Sequence, residues 1–150
     1  MSNLKVRRLL TNTLFAGLGG DENTPPKYPI LLNGVQTEPE DSITDTNIIA
    51  HLIPMEPFSE TLDGRDHTAY VGIYQMKVRT DPLDNGMLHG EEVVEELQAI
   101  FQTDMRILEQ PTNPDSFAVQ VMSPMKTSEG KQIGAWWEIN CYFDYRADTN

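Results

Sequence analysis

The stretch from Ala69 to Phe101 constrains this chain more than any other. It opens with Ala69-Tyr70-Val71-Gly72-Ile73-Tyr74-Gln75-Met76-Lys77-Val78-Arg79, in which five residues are β-branched or aromatic and none is Pro. Such a run reads as a strand. Thr80 to Gly90 then supplies Asp81-Pro82 and Asp84-Asn85-Gly86, both turn chemistry. An amphipathic helix follows, with Leu88, Val93, Val94, Leu97, Ile100 and Phe101 along one face and Glu91, Glu92, Glu95 and Glu96 along the other. The spacing predicts that these acids sit in the first turns, where the helix dipole favours negative charge. A long strand, a tight loop and one helix then have to cover a sheet.

The flanking segments supply the rest of that sheet. Asn3 to Gly17 reads as a first helix with a rough apolar stripe, stopped by Gly17 and Gly19-Gly20. Lys5, Arg7 and Arg8 put a basic cluster in its first turns, against the dipole preference, so that helix either docks on an acidic surface, its own or a neighbour's, or presents an ordinary solvated face. Tyr28-Pro29-Ile30-Leu31-Leu32 suits a short edge strand, and Asn33-Gly34 a turn. Asn47 to Ile53 is a buried strand stopped by Pro54, and Asp63-Gly64 suggests a hairpin tip between Phe58–Leu62 and the strand at Ala69. Met105 to Leu108 and Phe117 to Met122 are further strands, while Pro124 to Lys131 reads as a polar turn region. The closing strand, Ala135 to Tyr145, alternates cleanly: Ala135, Trp137, Ile139, Cys141, Phe143 and Tyr145 point one way, and Trp136, Glu138, Asn140, Tyr142 and Asp144 the other. The expected fold class is α+β: a mixed, largely antiparallel sheet of about four to six strands with one face covered by two helices. A single domain is expected over residues 1–150, with flexible loops near 19–27, 37–45 and 54–68.

Charge and cysteine content narrow the function. A net charge of −12 argues against nonspecific grip on DNA or an anionic membrane, though not against a surface that DNA slides past. Cys141 is the single cysteine, which excludes an intrachain disulfide and fits a reducing compartment. No apolar run approaches the ~20 residues that span a bilayer, and no secretory cleavage site follows the N-terminal helix.

Reacting groups are scarce. Gly17-Leu18-Gly19-Gly20 lacks the Lys-Ser/Thr of a phosphate loop, and His51, His67 and His89 share no metal spacing. His67 near Asp63 and Asp66 is the one weak hint of metal or acid–base chemistry, and Asp81, Asp84 and Asn85 fall short of a calcium loop. Ser59 has no nucleophile-elbow context. Catalytic, cofactor-binding and metal residues are therefore expected to be absent. Trp136, on the polar side of the last strand, suits a protein contact.

Phe58-Ser59-Glu60-Thr61-Leu62 followed by Tyr70-Val71-Gly72-Ile73-Tyr74-Gln75-Met76-Lys77-Val78 resembles a signature of the small tail terminator (tail completion) proteins of long-tailed phages, the lambda U-type group and its relatives. The Glu-rich helix ending in Ile100-Phe101 and the closing Phe143-Asp144-Tyr145-Arg146 are similar as well. The resemblance implies a structural protein of the virion tail, assembled in the host cytoplasm. It implies a homo-oligomeric ring, typically a hexamer, that sits on the last tail-tube layer, stops tube polymerisation and offers a docking surface to the head–tail connector protein. Partners would be the tail tube protein and the connector, with DNA passing through the channel unbound and no membrane involved. Magnesium or another divalent cation would serve assembly only. Phe58, Leu62, Tyr70, Tyr74 and Trp136 are then the expected assembly interface, and Glu138, Asn140 and Asp144 the expected channel lining. Six copies of a −12 chain would carry about −72, enough to repel phosphate at short range and be screened beyond ~8 Å. Another head–tail junction ring, such as a neck or head-completion protein, is the neighbouring alternative; a small metal-dependent enzyme or ligand-binding domain using Asp63, Asp66 and His67 is the alternative of a different class.

Overall fold

The computed structural model describes residues 2–32, 46–62, 65–82 and 85–149, with the backbone alone at 2, 60–62, 65–67, 86 and 149. The expected acidic loop at 37–45 and the hairpin tip Asp63-Gly64 lie outside the described residues. Two strands form the spine: β4 (Arg65–Thr80) and β9 (Trp136–Thr149). They run antiparallel through thirteen residue pairs, from Thr68↔Thr149 to Thr80↔Trp137. The outer edge of β4 is taken by β3 (Phe58–Leu62) and then β2 (Asn47–Pro54), both antiparallel to it. The outer edge of β9 is taken in turn by β8 (Lys131–Ile133), β7 (Lys126–Thr127) and β6 (Ala118–Val121). Beyond these lie β1 (Ile30–Leu32), parallel to β2, and β5 (Arg106–Leu108), antiparallel to β6. The class is the expected α+β, with a mixed and largely antiparallel sheet.

The sheet holds nine strands among the described residues, against the expected four to six. Six of them form the path β1-β2-β4-β9-β6-β5, and β3, β7 and β8 attach beside it. The excess comes from two- and three-residue strands with exposed side chains, such as β7 and β8. Backbone pairing to β9 holds these in place, and backbone pairing leaves no hydrophobic periodicity to read.

Alternation decides which sheet face is covered. Ile48, Ala50 and Leu52 on β2, Tyr74, Met76 and Val78 on β4, and Ile139, Cys141, Phe143, Tyr145 and Ala147 on β9 are all buried on one face. Two helices cover it. α1 (Ser2–Gly17) buries Val6, Leu10 and Leu14, residues four apart and so on one stripe. It ends where Gly19 takes a φ of 82° and the N–H of Gly20 donates to the Phe15 carbonyl at 2.9 Å, a left-handed stop that a side chain would strain. α2 (Gly86–Ile100) buries Val93, Val94 and Leu97, and the Phe101 ring after it packs 4.9 Å from Phe143.

Two expectations for α2 need correction. The helix begins at Gly86, so Glu91 to Glu96 occupy its middle turns and not the first. Leu88, assigned to the buried stripe, is 62% exposed in the first turn of the helix. At the end of the 19–27 loop the Lys27 N–H donates to the Leu18 carbonyl at 2.8 Å, and Lys27 Nζ meets Glu96 Oε1 at 2.7 Å.

Candidate assembly surfaces

The sheet face opposite the helices carries three ion pairs among the described residues. Arg79 and Glu138, neighbours across β4 and β9, approach to 3.6 Å with side chains only 5% and 10% exposed. The Arg79 guanidinium also lies over the Trp136 ring at 4.6 Å. Further along, Lys126 on β7 stands 4.0 Å from Asp144 and 5.9 Å from the Tyr142 ring. Arg146 holds Asp148 at 2.9 Å and covers the Phe58 ring at 5.2 Å. Glu138, Asp144 and Asp148 thus each have a cation beside them.

The expected interface and channel residues fall at different depths. Glu138, expected in the channel lining, is 9% exposed and ion-paired with Arg79. Removing one partner of such a pair costs roughly 3–5 kcal/mol, because the other charge is left buried. Asn140 and Asp144 remain half-buried on the same face, and the Asn140 backbone N–H donates to Ser128 Oγ at 3.0 Å. Tyr74, expected at an assembly interface, packs in the core. It is 1% exposed, its ring is 5.8 Å from Phe143, and its hydroxyl meets Thr11 Oγ1 at 3.2 Å. Burial pushes the Tyr74 hydroxyl up to about 12, with the Thr11 hydrogen bond and the Arg7 charge pulling the other way. Tyr70 and Trp136 are half-buried and Phe58 is 38% exposed. Leu62 belongs to β3 by its backbone, and its side chain lies outside the described residues.

Two grooves beside the helices carry further charge. α1 and β2 enclose a groove of about 350 Å³, lined by Leu4, Arg7, Arg8, Thr11, His51 and Leu52. Arg7 and Arg8 are exposed, and no described carboxylate pairs with either. Lys5, by contrast, faces the other side of α1, 3.5 Å from Glu109 and over the Phe117 ring. On α2 a second groove of about 530 Å³ runs beside residues 127–130, lined by Met87, Glu91, Glu95, Gln98, Glu129 and Trp137. Met87, in its lining, is 55% exposed, and Leu88 beside it in the chain is 62% exposed.

Chemistry-bearing side chains do not gather anywhere among the described residues. No group of three or more His, Cys, Asp or Glu there could hold a metal ion. Asp63 and the side chains of Asp66 and His67 lie outside what is described. Cys141 is buried, and burial pushes its thiol up to about 12. No described helix is long and apolar enough to cross a membrane.

Comparison with known proteins bears on the whole of this architecture. A family model described as phage tail terminator protein matches residues 6–145. A solved structure that carries no functional name matches with a TM-score of 0.73 at 19% identity, covering 100% of this chain and 98% of the other, a likeness of fold. No curated protein matches.

Proposed function

This chain belongs to the phage tail terminator family, and from that premise we propose that it closes into a ring on the last layer of the tail tube. Membership itself makes it a structural component of the virion tail. In the proposed role the ring, a hexamer, stops addition of further tube protein and offers its free side to the head–tail connector. It assembles in the host cytoplasm, and DNA passes through its centre without being held. A divalent cation such as magnesium would act only by easing repulsion between acidic subunits.

The observation that carries this reading is the span of the match. Residues 6–145 run from the first turns of α1 through both helices and every described strand into the far half of β9, so the likeness belongs to the whole fold and not to a shared fragment. The −12 charge supports it: a ring of such subunits repels phosphate.

Tubes assembled from the purified tail tube protein provide the test. Adding this chain should hold tube length constant and place density at one end in electron micrographs. Tubes that keep growing at the same rate, with no added density at either end, would refute the terminating role.

A further inference from the structure

We propose that the α1 groove of one copy receives the exposed start of α2 from the next copy, and that this contact closes the ring. The inference rests on the ring reading and names the surfaces that would make it. The two helices carry the same pattern with opposite charge. α1 presents Leu4 with Arg7 and Arg8 three and four residues on; α2 presents Leu88 with Glu91 and Glu92 three and four residues on. Both patterns fall on one helix face. Both faces are open, with Leu4 51% and Leu88 62% exposed.

Charge identifies the occupant. Subunits of net charge −12 repel one another unless an acidic surface meets a basic one. Arg7 and Arg8 form a basic patch with no described carboxylate partner, and Glu91 and Glu95 are exposed acids equally without a described cation. The apolar parts match as well. The α1 groove has walls of Leu32, Ala50 and Leu52, open to the side chain of an incoming Leu88 or Met87.

The placement of the two surfaces permits a ring. The α1 groove and the α2 face share no residue, so each copy can give one and receive the other at once. A contact of this head-to-tail kind repeats, and it is self-limiting when the rotation closes.

Charge exchange tests the contact. One variant carries Arg7→Glu and Arg8→Glu, a second carries Glu91→Arg and Glu95→Arg, and a third carries all four. Mass is followed by light scattering and native mass spectrometry, with circular dichroism and melting used to confirm folding. Each pair alone should raise the concentration for half-assembly at least about tenfold. Mixing the two pairs should restore an alternating oligomer with an even number of subunits, and the fourfold variant should assemble alone. Retention of wild-type mass by folded single pairs, or no restoration on mixing, would overturn this contact while leaving a ring intact. A wild-type chain that stays monomeric at every concentration and salt would overturn both.

Discussion

Replacing Gly72 by Ala tests how tightly the spine is packed. Gly72 pairs with Pro54 on one side and Tyr145 on the other. A Cβ there would lie 2.4 Å from the Ile53 carbonyl oxygen, 2.6 Å from Tyr145 Oη and 2.9 Å from its Cε1. A carbon and an oxygen normally stay about 3.3 Å apart or more, so the carbonyl must retreat by roughly 0.9 Å. That carbonyl is backbone inside the β2–β4 ladder and cannot swing aside as a side chain would. Overpacking of this kind costs about 1–3 kcal/mol, and the smaller unfolded-state entropy of Ala returns about 0.4–1 kcal/mol. A net loss of about 1–2 kcal/mol follows, which at a urea slope of ~2 kcal/mol/M lowers the unfolding midpoint by about 0.5–1 M. Equilibrium urea denaturation followed by Trp fluorescence measures it. Tyr145→Phe supplies the control, since it removes the hydroxyl and leaves the Ile53 oxygen in place. An unchanged midpoint for Gly72→Ala would refute the argument, and so would full recovery in the Tyr145→Phe background, which would put the clash in the side chain.

The two buried tyrosines and the thiol yield further expectations. Tyr74→Phe loses the hydrogen bond to Thr11 and should cost about 1 kcal/mol, whereas Tyr145→Phe, whose hydroxyl has no hydrogen-bond partner among the described residues, should leave stability equal or higher; urea midpoints separate the two. Stability should also fall in alkali. Cys141 and Tyr74 both have folded values raised to about 12, from 9.0 and 10.0, so the unfolded chain releases those protons first. Their contribution is complete below about pH 9 and is lost between there and about pH 12, at up to ~1.4 kcal/mol per pH unit for each group. Cys141→Ala should delay the start of that decline by about one pH unit in a series of melts, and an identical profile would count against a buried thiol in the folded state.

The long elements were legible because each alternates or repeats over enough residues to declare its period. β4, β9, α1 and α2 were all readable, as was the face of β9 that holds Trp137, Ile139, Cys141 and Phe143. Tyr74 was expected at a contact because it is an aromatic in a motif, while its alternation with Met76 and Val78 marked it as inward, and the strand period does bury it in the single chain. Glu138 could not have been found from its own surroundings in sequence. Its burial depends on register, which sets Arg79 directly across from it and Trp136 over that arginine. The acidic and basic helix faces were visible as compositions; that Arg7 and Arg8 lack an internal partner while Lys5 has Glu109 emerges only from the packed chain. The family resemblance was carried by residues of the β3–β4 hairpin and by the closing strand, and the match now extends over both helices as well.

At the two ends of the strand order stand β1 and β5, each three residues long. Rims that brief offer a visiting chain few amide and carbonyl groups to bind. At those two ends, copies have little backbone with which to zip edge to edge into fibres. In the proposed ring, recognition would then fall to side chains, whose fit can specify an angle and a number, and an assembly of fixed count could bring a growing tube to a definite end.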